Sequence, residues 1–305
     1  MLKQIPGGVF PTMITPYTED NKIDYNAVLQ LLFWYYGKGV RAIFAICQSS
    51  EIFYLTFEER LALLKFIMQN KPTDMTVVAS GHVSDDFETM CKEANAFIET
   101  DIDGYVFIAN RFAKAEESDE ILTERMLAAA NVLPEIPLGV YECPYPYKRV
   151  LSPAVMKTLS ENGKFQFLKD TCCDLTLIKK KLDAVKGGNL QIFNANSATL
   201  LPSLKMGCAG FSGVMANFHP ELYVKLYEIY KTEPEKAALI QAMIGTLSMA
   251  ECQCYPVNAK YYLSLEGLNI NIDSRSRSKA DFGPSRKAEI EEMRDLTLAF
   301  EASIL

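Results

Sequence analysis

The fold predicted from the sequence is α/β, a closed (β/α)8 TIM barrel with a C-terminal helical extension, and three observations carry that expectation. Eight short apolar runs with strand character recur along residues 1–232, seven helical segments separate them, and a further helix begins near Pro220. The alternation continues without a break in composition, and no Pro/Gly/Ser-rich linker divides it. Beyond about Thr232 the strand signal stops, so residues 233–305 read as a helical subdomain packed on the barrel. A chain of 305 residues has room for one large barrel or two average domains. The strand tally, not the length, decides against an open doubly wound sheet.

The first strand covers residues 8–14 and ends at Thr15-Pro-Tyr. A helix from Asp24 to about Gly37 follows, with a capping aspartate at its start and a glycine near its end. Residues 40–46 form a second strand, mostly apolar, as suits a strand covered on both faces. Thr56-Phe-Glu-Glu59 is a capping box that launches a helix through Leu64 and Ile67. Strand three is 76–80, with His82 just after it, and a helix covers 85–99. Strand four is 104–109 and its helix 119–133. Strand five, 137–141, stops on Tyr141, and Ser152-Pro153 starts the next helix with proline in its first turn. Strand six, 165–169, stops on Lys169, and Asp174 opens a helix to about Val185. Strand seven is 190–194 with a helix at 197–206, and strand eight is 209–214. In the extension, 234–250, 257–267 and 285–300 read as helices.

The totals exclude several functional classes. An apolar content of 49% with 23% charged residues is that of a globular protein, neither disordered nor fibrous. A net charge of −7 leaves no global positive field to hold nucleic acid or an anionic membrane. The basic run Arg275-Ser-Arg-Ser-Lys279 is local and reads as a solvated loop. No apolar run is long enough to span a bilayer. The start, Met1-Leu-Lys-Gln-Ile-Pro-Gly-Gly, reaches proline and glycine before a signal-peptide core can form, so a cytoplasmic location is expected. The eight cysteines are scattered, most within expected helices or strands, and read as reduced thiols. Cys172-Cys173 are adjacent, Cys252-Gln-Cys254 lacks a second ligand pair, and the histidines are only His82 and His219, so no metal site is expected.

Lys169 is the anomaly in this pattern. Phe165, Phe167 and Leu168 read as a buried strand, and such a strand has no ordinary reason to end on an ammonium group. If strands five and six are parallel neighbours, Tyr141 and Lys169 lie side by side at one end of the sheet. Burial disfavours an ammonium, and a free amine can attack a ketone to form an imine that withdraws electrons from the neighbouring carbon. A nearby phenol can carry the protons this chemistry moves. The alternative is a lysine that snorkels to solvent beside a packing tyrosine. Barrel architecture favours chemistry, because catalytic groups gather where barrel strands end. Asn194 and Ser212 fall at or near the ends of strands seven and eight, and Gln48-Ser-Ser50 follows strand two.

Taken in order, these motifs resemble the dihydrodipicolinate synthase and N-acetylneuraminate lyase family of Schiff-base aldolases. Phe10-Pro-Thr-Met-Ile-Thr-Pro16 is similar to the family's opening, and Cys47-Gln-Ser-Ser-Glu51 stands where the family has Gly-Thr-Thr-Gly-Glu or Gly-Ser-Thr-Gly-Glu. Leu55-Thr-Phe-Glu-Glu-Arg60, Tyr141-Glu-Cys-Pro144, Leu168-Lys-Asp170 and Gly210-Phe-Ser-Gly-Val-Met-Ala-Asn217 follow in the family's order. The resemblance implies that Lys169 forms an imine with a 2-oxo acid, usually pyruvate, with Tyr141 as proton carrier and no cofactor. It implies that the loop with Gln48, Ser49 and Ser50 binds the keto-acid carboxylate. Glu51 would brace that loop or cap a helix, Asn194 and Ser212 would line the pocket or serve barrel packing, and the chain would form a homo-oligomer, a tetramer or dimer.

Departures from the family pattern qualify those expectations. Gln48 replaces the hydroxyl residue that relays protons to the tyrosine, and an amide does not pass a proton in that way. Phe112 stands where many members place a second relay tyrosine, donated across a subunit interface. Ser50 replaces a glycine. Pro146 lies where dihydrodipicolinate synthases carry a carboxylate-binding arginine; Lys148 and Arg149 could substitute for it, but both read as surface residues. The expected activity is therefore a lyase or aldolase acting on a 2-oxo acid, and not dihydrodipicolinate synthase itself. A 2-keto-3-deoxy sugar-acid dehydratase or hydratase-aldolase is a near alternative, and a non-catalytic 2-oxo-acid-binding or regulatory barrel is an alternative of another class. Tyr145-Pro-Tyr147 reads either as part of an acceptor pocket or as a packed turn.

Overall fold

The computed structural model describes residues 2–304. Its strands are β1 (Gly8–Val9), β2 (Ala42–Phe44), β3 (Thr76–Ala79), β4 (Gly104–Ile108), β5 (Leu138–Tyr141), β6 (Phe165–Asp170), β7 (Gln191–Asn194) and β8 (Gly210–Phe211). All pair in parallel, in the order β1-β8-β7-β6-β5-β4-β3-β2. The ring closes just past β1, where the Phe44 N–H donates to Pro11 O at 3.0 Å and the Met13 N–H donates to Phe44 O at 3.0 Å. This is the (β/α)8 barrel expected from the alternation.

The helices start where the capping residues dictate. Helix α1 (Tyr25–Gly37) is capped by Asp24, whose carboxylate accepts the Ala27 N–H. In α2 (Phe57–Asn70) both bonds of the capping box form, Glu59 N–H to Thr56 Oγ1 and Thr56 N–H to Glu59 Oε2. Asp86, not Asp85, caps α3 (Phe87–Ile98). Ser118 caps α4 (Asp119–Val132), Ser152 caps α5 (Pro153–Asn162) and Asp174 caps α6 (Leu175–Ala184). The stretch expected to be helical from Ser197 opens as a 3₁₀ turn capped by Asn196, and α7 (Leu200–Met206) continues it. Helix α8 (Pro220–Ile229) ends the alternation, and α9 (Pro234–Leu247), α10 (Val257–Leu265) and α11 (Pro284–Ile304) form the extension. A 3₁₀ stretch, Ser248–Cys252, follows α9.

β1 and β8 are two residues each, far shorter than the apolar runs 8–14 and 209–214. Phe10, Met13 and Ile14 remain buried beyond the ladder, because an apolar run reports burial and not strand pairing. Inside the barrel, Phe10, Phe44, Phe167 and Phe193 form an aromatic layer, with ring centroids 4.5 Å apart for Phe167–Phe193 and 4.9 Å for Phe10–Phe193. Gly139 sits against this layer, where an added Cβ would meet the Phe167 Cβ and carbonyl oxygen at 3.0 Å.

Three expectations need correction. The basic run is not uniformly solvated: Arg275 reaches inward, its guanidinium bound to both Glu59 oxygens at 2.7 and 2.8 Å. Only Arg277 to Lys279 are exposed. Arg149 is not a surface residue but a buried brace, donating to Lys114 O, Glu117 O and the Asp119 carboxylate. Most cysteines lie in loops, and Cys91 alone is inside an α-helix, because short thiol side chains pack equally well under loops. Among the described residues, no helix is long and apolar enough to cross a membrane.

Candidate active site

β5 and β6 pair in a register that sets Tyr141 directly beside Lys169. Alternation along each strand turns both side chains into the barrel mouth and turns Glu142 and Asp170 away, toward the helices. The Lys169 Nζ lies 4.3 Å from the centroid of the Tyr141 ring and 5.8 Å from that of Phe44. Its side chain is only 3% exposed. Burial holds its ammonium below the usual lysine range, against the opposing influence of Cys47, Cys143 and Glu251. Burial likewise pushes the Tyr141 phenol well above the usual tyrosine range, so the hydroxyl keeps its proton. That hydroxyl donates to Gln48 Oε1 at 3.3 Å, and the Cys143 thiol donates to the same oxygen at 3.3 Å.

Behind the two strand ends lies a buried three-charge cluster. Lys181 of α6 reaches Glu142 Oε1 and Asp170 Oδ2, each at 2.5 Å, and all three side chains are 0% exposed. Glu142 also accepts the N–H groups of Leu151 at 2.8 Å and Thr171 at 2.9 Å. Burial and the neighbouring Asp170 raise the Glu142 carboxyl to about 7 in spite of Lys181. One ammonium thus ties together the residues that immediately follow Tyr141 and Lys169.

The loop after β2 is knitted mostly by its own hydroxyls. Ser50 Oγ lies 2.7 Å from Met13 O and 2.8 Å from Ala45 O, and it accepts the Cys47 N–H at 3.1 Å. Ser49 Oγ donates to Thr12 Oγ1 at 3.0 Å. Glu51 adopts a left-handed backbone with φ 62°. Its carboxylate pairs with Lys260 at 3.3 Å and accepts the N–H groups of Arg275 at 2.6 Å and Ser276 at 2.7 Å.

Two adjoining cavities open at this end of the barrel. One, of about 300 Å³, is lined by Lys169, Tyr141, Thr171 and Asn196, with Lys148 at its rim. The other, of about 510 Å³, is lined by Gln48, Ser49, Tyr54, Tyr145 and Arg277. Tyr141, Pro144, Val214, Glu251, Cys252 and Tyr255 line both. Lys169, Tyr141, Gln48 and Ser49 therefore converge, whereas Ser50, Asn194 and Ser212 line neither cavity. Asn194 spends its amide on Thr199 and Ser203, each at 3.0 Å, and accepts the Asn196 N–H. The Ser212 hydroxyl is buried with no partner among the described residues. A larger cavity of about 720 Å³ lies beside Arg111, Phe112 and Pro146, away from the lysine. Chemistry, not volume, locates the site. Phe112 packs inward against Phe107, with centroids 4.7 Å apart, and His82 is a neutral buried link between Tyr105 and the Ile108 N–H.

Sequence reasoning missed Glu142, Cys143, Lys181, Glu251 and Tyr255. The first two lie within the Tyr141-Glu-Cys-Pro144 motif and were legible as neighbours of the tyrosine. A lysine on the inner face of α6 was the one signal for Lys181. Glu251 and Tyr255 arrive from the extension, with no local signal.

The profile of the dihydrodipicolinate synthetase family matches residues 5–281. The chain belongs to that family. Among dihydrodipicolinate synthetase family members, the 4-hydroxy-tetrahydrodipicolinate synthase of Brachyspira hyodysenteriae is 23% identical over 298 residues, covering 95% of this chain and 96% of the relative. The fold is shared with YagE, a prophage protein of E. coli solved in complex with pyruvate, at a TM-score of 0.86 and 20% identity over 95% of this chain and 98% of that one. It is shared equally with the sialic acid aldolase of Ruminococcus gnavus, at a TM-score of 0.84 and 19% identity over 98% of this chain and 99% of the other. The family is named for a synthetase, a DapA-like lyase of Halobacterium salinarum is 25% identical over 286 residues, and an aldolase shares the fold, so this chain has the fold of that group.

Proposed function

We propose that this protein is a Schiff-base lyase that makes or cleaves a carbon–carbon bond in a 2-oxo acid. The observation that carries the reading is the buried, low-titrating amine of Lys169 set in register beside the protonated phenol of Tyr141 at the barrel mouth. The amine adds to the C2 ketone, the resulting hydroxyl leaves as water, and an iminium remains. The bond between C3 and C4 then breaks, its electron pair passing into the iminium to give an enamine, while the C4 hydroxyl proton passes to a base and C4 leaves as an aldehyde. Protonation at C3 and hydrolysis release the shortened 2-oxo acid. Tyr141 is the proton carrier, and Ser49 with the backbone N–H groups of its loop receives the substrate carboxylate. Ser50 and Asn194 serve that pocket from behind, by holding loop and strand ends, and Ser212 packs behind it with its hydroxyl unpartnered. No cofactor is required, because the lysine supplies the electron sink.

Pro146 in place of an arginine, together with the inward packing of Arg149, supports an activity other than dihydrodipicolinate synthase. Dehydration of a 2-keto-3-deoxy sugar acid uses the same iminium and is the neighbouring reaction. A second reading, a barrel that binds 2-oxo acids without turnover, is favoured by one feature: the partner of the Tyr141 hydroxyl is an amide carbonyl, which accepts a proton bond but passes none onward. Family kinship supports a cytoplasmic place and a homo-oligomer. We also place the boundary between barrel and helical subdomain at 232/233.

Borohydride trapping with pyruvate tests the proposal. The wild-type protein gains the mass of a reduced adduct at Lys169, and Lys169→Ala gains none. A Lys169→Ala protein with full activity sinks the assignment. Trapping without release of pyruvate from any 2-keto-3-deoxy sugar acid or sialic acid favours the binding barrel.

A further inference from the structure

The wall facing Lys169 comes from outside the barrel. Glu251, in the 3₁₀ stretch after α9, lines both joined cavities, including the one that holds Lys169. The other carboxylates near the site are spoken for: Glu51 by Lys260 and two backbone N–H groups, Glu142 and Asp170 by Lys181. Glu251 differs. It is half-buried, burial raises its titration and only Lys169 opposes this, and no donor among the described residues reaches it. A half-buried carboxylate without donors offers strong acceptor sites to whatever enters the cavity.

The occupant's chemistry follows from that. With C2 held at Lys169, the substrate carbons beyond C3 extend toward the opening, where Glu251 waits. Hydroxyl groups satisfy it, an alkyl chain leaves it unpaired, and a distal carboxylate repels it. We propose that Glu251 is the specificity residue of this site, accepting hydrogen bonds from the distal hydroxyls of a polyhydroxylated 2-oxo acid. The inference rests on capture of 2-oxo acids by Lys169. It assigns to the helical extension, and not to a barrel loop, the reading of the substrate's far end.

Three probes separate the possibilities: 2-keto-3-deoxygluconate carries distal hydroxyls, 2-oxobutanoate none, and 2-oxoglutarate a second carboxylate. Each is trapped with borohydride at sub-saturating concentration, and the modified fraction at Lys169 is read by mass, counting intact and pyruvate-sized adducts together. Wild type labels best with the polyhydroxylated probe and least with 2-oxoglutarate. Glu251→Gln and Glu251→Ala cut labelling by the polyhydroxylated probe about tenfold or more, as expected for a lost hydrogen bond to a charged group. Read against 2-oxobutanoate, which reports any change in Lys169 itself, both lower the preference for the polyhydroxylated probe about tenfold and raise that for 2-oxoglutarate. Equal loss with all three probes overturns the inference, because Glu251 then acts on the iminium charge. An unchanged preference also overturns it. A wild-type protein labelled by no probe is a different failure, that of the Lys169 assignment itself.

Discussion

At the scale of single residues, Lys169 is set apart by what surrounds it: rings on two sides, 3% exposure and a titration moved down by burial. Its amine therefore gives up its proton at a lower pH than a surface lysine does. The rate of adduct formation with pyruvate should climb with pH and level off below the surface-lysine range. Phe44→Ala, which admits water beside the amine, should move the plateau upward, as stopped trapping across a pH series would show. Tyr141→Phe keeps the ring over the amine and removes the proton. Adduct formation should survive in that variant while turnover falls by about 10²–10⁴, measured as pyruvate release. Lys169 and Tyr141 were legible because a polar group closing an apolar strand violates the local rule. Ser50, Asn194 and Ser212 were not separable from Ser49 in that way. A hydroxyl or amide at a strand end has the same pattern whether it faces substrate or bends back onto its own loop.

Among elements, the decisive unit is the β5–β6 pair with α6 behind it. Lys181 holds two carboxylates in a place without water, so Lys181→Met leaves both unpaired and should cost about 3–5 kcal/mol of stability. The pH dependence has a definite sign. The folded-state carboxyl of Glu142 is already raised to about 7, so the stability it contributes is complete below its unfolded value, about 4.3, and is lost as pH rises through about 7. Without Lys181 the carboxyl is raised further, and the deficit of the variant should be larger at pH 8 than at pH 5 in urea denaturation. A deficit independent of pH would assign the loss to packing alone. The spacing of strands and helices was legible in the capping residues and apolar runs. The pairing of Glu142 with Lys181 was not, because it depends on which face of α6 meets the sheet.

Over the whole molecule, the alternation of strand and helix announced the barrel, and the helical character of the extension was equally plain. What the extension does for the site was hidden, since Lys260, Glu251 and Tyr255 reach it only through long-range packing. Lys260→Met removes the ammonium partner of Glu51 and should cost about 3–5 kcal/mol. It should also raise the pyruvate concentration needed for half-maximal trapping, because Ser49 sits on the loop that Glu51 anchors. An unchanged half-maximal concentration would separate the brace from the site. The aromatic layer of Phe10, Phe44, Phe167 and Phe193 plugs the barrel beneath Lys169. A plugged floor turns the amine toward the joined cavities at the barrel mouth. The water expelled when an imine forms and the water that later hydrolyses it would use the same passage as the organic reactants, so a product still seated there delays its own partner's departure. Release in a fixed sequence, the aldehyde first and the keto acid last, would be built into the shape of the vestibule.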